Sequence, residues 1–271
     1  MHKIVDNKIL KAILIQGKPV LLEIGGKANF LEIRILSGEP NFEITSAIKD
    51  YIIDWLDLDR DLEPFYQLLS QHSQLSYMAE EFHGLRIIST PDLFEALCWS
   101  VTGQQINLTF AYKLKRRLVE KYGSHIEFEN RIFHIFPSHA RLAGADPAEL
   151  RSMQFSSKKA EYIISIAKLF ATEQLSKEIL LSLPDLEARQ KMLMSVKGIG
   201  IWTANYALMK SLKEQSSIPY GDAGLLQALL IHNIITDKKD GLQIRNFFQE
   251  MRGWESYVVF YLWRSLAKKP G

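Results

Sequence analysis

The first forty residues of the chain alternate or cluster β-branched and apolar side chains, a pattern typical of β-strands. Glycine-containing pairs at 17–18 and 25–26 fall where turns between such strands are expected. Over residues 43–56 the apolar spacing becomes helical. We therefore predict a small α+β domain with an antiparallel sheet over residues 1–88. The predicted strands are 8–16, 19–24 and 30–36.

After residue 89 the apolar spacing stays helical to the end of the chain, and short loops carrying Gly or Pro interrupt it. Thr90 and Pro91 resemble an N-cap followed by a first-turn proline. So many short helices predict a mostly α fold over residues 89–271, a compact helical domain that a cleft can divide. The predicted helices are 91–101, 107–122, 147–153, 157–171, 176–181, 185–194, 201–212, 223–235, 242–250 and 254–268.

Composition narrows the class of protein. The 271 residues carry a net charge of +2 and no run of 18 consecutive apolar residues, so we expect a cytoplasmic protein without a transmembrane span. Cys98 is the only cysteine, which excludes an intrachain disulfide and a cysteine-bound zinc or iron cluster within this chain. The histidines lack HExxH spacing, and we expect neither a metal nor a cofactor. We interpret the basic run at 113–121 as a solvated helix face, with phosphate contact as the alternative.

The most informative segment is residues 193–207. A short helix is predicted to end at Val196, Gly198 and Gly200 follow, and a new helix begins at once. Glycine tolerates positive φ and lets a partner approach the backbone, while amides at the start of a helix favour a phosphate oxygen. A plain tight turn between helices is the alternative. The segment fails the dinucleotide-binding fingerprint because Thr203 occupies the third glycine position and a helix precedes the turn.

Residues 196–204, VKGIGIWTA, closely resemble the helix-hairpin-helix signature of the base-excision DNA glycosylases. In that family an aspartate follows the hairpin by about twenty residues, and here Asp222 opens a predicted helix at that distance. Residues 94–106 and 254–263 resemble the 3-methyladenine DNA glycosylase II branch, as do the early strands. The resemblance covers nearly the whole chain. It implies a helix-hairpin-helix glycosylase fold with a DNA-binding cleft, and a monomer that acts on double-stranded DNA with damaged bases.

The resemblance implies that Asp222 is the catalytic carboxylate. Breaking an N-glycosidic bond builds positive charge on the sugar, and a fixed carboxylate stabilises that charge and can orient or deprotonate the attacking water. The start of helix 223–235 favours an ionised side chain, although aspartate is also an ordinary N-cap there. Relatives often carry proline two residues before the aspartate. This chain has Tyr220 there and Pro219 one step earlier, so we expect the loop to enter the site differently.

An extruded base needs aromatic faces to replace its lost stacking. Trp202 and Tyr206 lie one helical turn apart, and the resemblance implies that they line the base pocket, although such a stripe is also typical of a plain core. Tyr257 and Trp263 are weaker candidates for the same pocket. Electron-rich rings favour a cationic alkylated purine. Lyase relatives carry a lysine two residues after the second hairpin glycine, and Trp202 at that position predicts a monofunctional enzyme that leaves an abasic site.

The resemblance also implies the DNA contacts. We expect Lys197, Gly198 and Gly200 to contact the DNA backbone, and Gln104 and Gln105 fall where relatives insert a side chain at the lesion. Gln105 is polar where some relatives carry an apolar residue, and an exposed polar loop is the alternative. Two other functions stay open: a non-catalytic helix-hairpin-helix DNA-binding protein, and a glycosylase for deaminated or oxidised bases.

Overall fold

The structure is a computed structural model that describes residues 2–27 and 30–267. The chain forms two compact units, each assembled from two segments that are separate in the sequence. Their segments alternate along the chain, whereas the sequence predicts two consecutive domains, and that division stays a prediction. The first unit comprises Met1–Ile52 and Val101–Leu175, and the second comprises Ile53–Ser100 and Ser176–Gly271.

The first unit contains the predicted antiparallel sheet. The strands are β1 (His2–Val5), β2 (Lys8–Ile15), β3 (Lys18–Lys27), β4 (Phe30–Ser37), β5 (His125–Phe128) and β6 (Arg131–His134). The first four pair in chain order, and β5 and β6 form a separate hairpin. Asp6 with Asn7 and Gln16 with Gly17 have positive φ, the geometry of two-residue type I′ turns that suit twisted strands. Apolar residues of β2 and β3 form a core cluster with residues of the β5–β6 hairpin.

Helices make up most of the remaining chain. Many begin at a Ser, Asp or Asn side chain that accepts a backbone N–H from the first turn, as Asn107, Ser156 and Asp185 do. The helices are α1 (Phe42–Leu56), α2 (Glu63–Ser70), α3 (Tyr77–Glu81), α4 (Leu93–Gly103), α5 (Leu108–Tyr122), α6 (His139–Ala143), α7 (Pro147–Ser152), α8 (Ser157–Ala171), α9 (Lys177–Ser182), α10 (Leu186–Met194), α11 (Ile201–Ala207), α12 (Ala223–Ile231), α13 (Gly241–Glu250) and α14 (Glu255–Ser265).

The basic run lies on α5, and several of its cations contact protein groups of the first unit. Arg117 donates to the carbonyl oxygen of Met153 at 3.0 Å. Lys121 pairs with Glu149 at 3.1 Å. These contacts favour a structural role for this face of α5.

The second unit packs around the buried face of α14. Phe65 of α2 lies at its centre, with its ring centroid 4.9 Å from that of Tyr261 and 5.3 Å from that of Trp254. Both Phe65 and Tyr261 are fully buried. The hydroxyl of Tyr261 donates to the carbonyl oxygens of Phe82 and Leu85, so its burial leaves the polar atom satisfied.

The end of α11 widens into a π-helical turn over Leu208–Leu212. Lys210 in this turn donates from its ammonium group to the carbonyl oxygen of Ile88. The backbone carbonyl of the same lysine accepts the N–H of Thr90 at 2.7 Å. Burial lowers the pKa of Lys210 to about 8, because the charged form loses its hydration.

The structure confirms the predicted strands and helices with shifts at their ends, and adds elements that the pattern did not predict: β1, α2, α3, α6 and the β5–β6 hairpin. The expectation that the chain stays helical after residue 89 is wrong at that hairpin. The predicted cap at Thr90 is also wrong, because α4 begins at Leu93 and Asp92 accepts the N–H of Phe94 at 2.8 Å. Among the helices described, none is long and apolar enough to cross a membrane.

Candidate active site

The predicted hairpin joins α10 to α11. Its turn is closed by the N–H of Ile199, which donates to the carbonyl oxygen of Val196 at 3.0 Å, and Gly198 adopts a φ of +92°. Gly200 is the N-cap of α11 in an extended conformation, and a Cβ added to it would meet nothing within 4 Å. Within the described chain no side chain caps α11. The positive end of its dipole therefore lies beside open space, where an anion is favoured.

A tight turn brings the chain into α12. The N–H of Asp222 donates to the carbonyl oxygen of Pro219 at 3.0 Å, and Gly221 adopts a φ of +83°. Positive φ at the third position is what a type II turn requires. Pro219 is thus the first residue of this turn and Tyr220 the second, with 38% of Tyr220 exposed.

The carboxylate of Asp222 is held by three N–H groups of the described residues. Oδ1 accepts the backbone N–H of Leu225 at 2.7 Å, so Asp222 is the N-cap of α12. Oδ1 also accepts the indole N–H of Trp263 at 2.8 Å, and Oδ2 accepts the indole N–H of Trp202 at 3.1 Å. An ordinary N-cap needs only the first of these bonds. The two indole donors hold the carboxylate in position beyond what capping the helix requires.

Three rings stand beside this carboxylate in the second unit. The ring centroids of Trp202 and Tyr206 lie 5.6 Å apart with an interplanar angle of 26°, and those of Tyr206 and Trp263 lie 6.2 Å apart at 40°. All three rings are half-buried. We call Trp202, Tyr206 and Trp263 the aromatic trio. The fold thus places three of the four predicted pocket residues beside Asp222, the predicted catalytic residue.

Gly224 leaves room for this arrangement, and no motif in the sequence marks it as a site residue. A Cβ at Gly224 would lie 3.1 Å from Oδ1 of Asp222 and 3.4 Å from Cδ1 of Trp263. The distance to Oδ1 is shorter than most real Cβ contacts, so a side chain here would push the carboxylate aside by a few tenths of an ångström, whereas the indole of Trp263 would lie in ordinary contact. The glycine at the second position of α12 lets α14 bring its tryptophan onto the carboxylate.

Trp99 of α4 is a second residue that sequence reasoning missed. Its indole N–H donates to the hydroxyl oxygen of Tyr206 at 3.0 Å, although the two residues are 107 positions apart in the chain. Helical spacing carries no information about a contact at that separation, and only the tertiary fold reveals it.

Tyr257 does not belong to this site, and the prediction that it lines a base pocket is wrong. Its side chain is fully buried, with an exposed fraction of 0%. Its hydroxyl donates to Asp57 at 2.6 Å, and Arg60 donates to the same oxygen at 2.7 Å. Burial raises the pKa of Asp57, but these hydrogen bonds outweigh it and hold that pKa below its usual value. Tyr257 is therefore a core residue with a satisfied hydroxyl.

The remaining predicted site residues are described within their own units. Lys197, in the second unit, is exposed beside the hairpin glycines. Gln104 and Gln105 follow α4 in the first unit, where Gln105 is exposed and adopts a φ of +56°. That left-handed conformation marks a sharp local turn of the backbone. Over the residues that the structure describes, no group of three or more His, Cys, Asp or Glu side chains could hold a metal ion.

Comparison with known proteins identifies the family. A model described as "HhH-GPD superfamily base excision DNA repair protein" matches residues 98–252, and a model described as "8-oxoguanine DNA glycosylase, N-terminal domain" matches residues 2–97. The chain belongs to the helix-hairpin-helix superfamily of base excision DNA repair proteins. The resemblance that the hairpin and Asp222 predicted is therefore confirmed.

Within that superfamily the chain is similar to proteins named for one lesion. A DNA-3-methyladenine glycosylase of Bacillus subtilis is 43% identical over 269 residues, which cover 98% of this chain and 88% of the relative. DNA-3-methyladenine glycosylase 2 of Escherichia coli is 30% identical over 189 residues, covering 69% of this chain and 62% of the relative. The solved 3-methyladenine DNA-glycosylase of Archaeoglobus fulgidus shares the fold, with a TM-score of 0.83 at 24% identity, covering 97% of this chain and 88% of that one.

Proposed function

We propose that this chain is a monofunctional DNA glycosylase that hydrolyses the N-glycosidic bond of alkylated bases, 3-methyladenine-like, in double-stranded DNA. The observation that carries the proposal is the carboxylate of Asp222, held by two indole N–H groups at the edge of the aromatic trio. The names of the relatives agree with this lesion class.

The chemistry follows from where charge develops. When the bond between C1′ of the sugar and the base nitrogen breaks, its electron pair leaves with the base and positive charge builds on the sugar. A cationic methylated purine leaves as a neutral base, so the pocket needs no acid group for it. The carboxylate of Asp222 stabilises the sugar cation, and water then adds to C1′ and loses a proton.

The ring faces of the aromatic trio bind the extruded base in this proposal. Trp202 and Tyr206 stack at an angle of 26°, and their electron-rich rings attract a cationic purine more strongly than a neutral one. The position that carries the Schiff-base lysine in lyase relatives holds Trp202, which has no amine, so the reaction ends at an abasic site. Borohydride should accordingly trap no covalent complex between this protein and lesion DNA.

The DNA backbone is the partner of the hairpin. The uncapped start of α11 and the open space at Gly200 suit a phosphate oxygen, and exposed Lys197 adds a positive charge nearby. Gln104 and Gln105 are proposed to occupy the gap left by the extruded base. The protein acts as a monomer in this proposal.

Release of free base from a methylated duplex tests the proposal. The wild-type protein should release 3-methyladenine and 7-methylguanine, and Asp222→Asn should be slower by about a hundredfold or more, since one preorganised charge contact is lost. Asp146→Asn is the matched control, because Asp146 caps α7 through the N–H of Ala148 at 2.7 Å and lies outside the site. Equal rates for Asp222→Asn and wild type would reject Asp222 as the catalytic group.

Parallel duplexes carrying hypoxanthine or 8-oxoguanine decide between lesion classes. The match of residues 2–97 to the N-terminal domain of 8-oxoguanine glycosylase is the observation that favours an oxidised base as the second candidate. Release of 8-oxoguanine without any methylated base would replace the proposal with that candidate. Tight binding without release of any base would favour the non-catalytic DNA-binding protein.

A further inference from the structure

The middle ring of the aromatic trio is the one that does not touch Asp222 through a hydrogen bond in the described structure. Trp202 and Trp263 are each fixed by their bond to the carboxylate, at 3.1 and 2.8 Å. Tyr206 stands between them, and ring contacts at 5.6 and 6.2 Å between centroids restrain it weakly. The hydroxyl end is a further point at which the orientation of its ring is fixed.

Trp99 holds that end. Its indole N–H donates to the hydroxyl oxygen of Tyr206 at 3.0 Å, a distance typical of a well-formed bond. Trp99 is half-buried on α4, while its chain neighbours Cys98 and Ser100 are 1% exposed. The backbone of α4 at Trp99 is thus held between two buried side chains, which fixes the point from which the indole projects.

We propose that Trp99 is a positioning residue for base excision, which fixes the tilt of Tyr206 against the extruded base through the hydrogen bond between its indole N–H and the phenol oxygen. This inference rests on the proposed function. Trp99 acts through Tyr206, so removing the N–H should let the phenol ring tip and misalign the stacked base relative to Asp222. The loss should appear in the rate of the chemical step, where alignment matters most.

A double-mutant cycle separates this role from plain packing. Trp99→Phe should lower the single-turnover rate of 7-methylguanine release by about threefold to tenfold, the range of one ordinary hydrogen bond. In a Tyr206→Phe background the same change should have almost no further effect, because the bond is already absent. The ratio of the two rate factors should be threefold or more. A smaller ratio overturns the proposal.

A binding measurement, a second replacement of Trp99 and a control variant accompany this cycle. Affinity for an abasic duplex should not change in Trp99→Phe, because no base then contacts Tyr206, and a drop as large as the rate effect would contradict a role through the base. If Trp99→Phe fails to fold, Trp99 replaced by β-(3-benzothienyl)alanine keeps the ring volume without the N–H donor and enters the same cycle. Trp254→Phe is the control, since that half-buried tryptophan stacks on Phe65 in the core, and its excision rate should match wild type.

Failure of this inference can be told from failure of the proposed function. A wild-type protein that releases no methylated purine rejects the function. A wild-type protein that releases it, together with a ratio below threefold, rejects only the role of Trp99.

Discussion

Gly224→Ala should separate activity from stability in this protein. Gly224 is the second residue of α12, and its φ lies outside the left-handed range that alanine avoids. Alanine is favoured over glycine within helices by about 0.5–1 kcal/mol. The backbone therefore accepts the substitution, and the consequences come from the added methyl group.

The methyl group would meet the contact between Asp222 and Trp263. It would lie 3.1 Å from Oδ1 of Asp222, and 3.4 and 3.5 Å from Cδ1 and Nε1 of Trp263. Relief requires a shift of a few tenths of an ångström, which lengthens the 2.8 Å bond between the indole and the carboxylate. A hydrogen bond to a charged group contributes about 1.5–3 kcal/mol, and losing half of it slows excision by about threefold to twelvefold.

The assay is single-turnover release of 7-methylguanine, read beside a thermal melt. Excision should slow by that factor, while the free energy of unfolding should fall by no more than about 1 kcal/mol, because the helix preference of alanine offsets most of the weakened bond. Gly241→Ala is the matched control in the first turn of α13, where the near atom is the flexible end of Arg245 at 3.2 Å, and its rate should equal that of wild type. A wild-type rate in Gly224→Ala would refute the contribution of the Trp263 bond, and a large loss of stability would refute the backbone argument.

Three further predictions test other parts of the structure. Tyr257→Phe removes a buried donor to Asp57, so urea melts should show a free energy of unfolding lower by about 1–3 kcal/mol. The excision rate should stay at the wild-type value, and a large loss of rate would support a place for Tyr257 in the base pocket. Gly198→Ala forces a Cβ onto a φ of +92°, which should cost about 1 kcal/mol in stability. It should also weaken binding to undamaged duplex, measured by fluorescence anisotropy, and unchanged binding would contradict a contact between the hairpin and DNA. Lys210 has a folded pKa of about 8, below its unfolded value of 10.5, so the unfolded state binds more protons between these values and stability should rise with pH there. From pH 8 to about 9.5 the free energy of unfolding of the wild type should rise by at most about 2 kcal/mol relative to that of Lys210→Met. Parallel curves of the free energy of unfolding against pH for the two proteins would contradict this prediction.

The sequence predicts an element well where the information is local. Helix spacing located α11, and Trp202 and Tyr206 share a face because they are four residues apart. The β5–β6 hairpin was missed although Ile126 and Phe128 alternate with polar residues, because four-residue strands give too short a pattern to outweigh the helices around them. The turn at Glu129 and Asn130 has positive φ at both residues, and only the asparagine signals it.

The error at Tyr257 could have been avoided from helix geometry. Tyr257 and Trp263 are six residues apart on α14, which places them about 120° apart around the helix axis and so on different faces of the helix. The contacts of Trp99 and Gly224 could not have been predicted in this way. Each depends on the distance between elements that are remote in the sequence, and a single sequence carries no signal of that distance.

Trp202 and Trp263 each make two kinds of contact in the site. The indole edges of Trp202 and Trp263 donate to opposite oxygens of Asp222, while their rings flank Tyr206. Under the proposed function, the faces that stack on the base and the edges that hold the carboxylate belong to the same rigid rings. A base that stacks correctly is therefore placed against a carboxylate already fixed for the sugar cation, so little reorganisation is needed during the reaction. This double use also explains why Trp202→Phe, which keeps a ring face and removes the donor, is informative where Trp202→Ala would remove both.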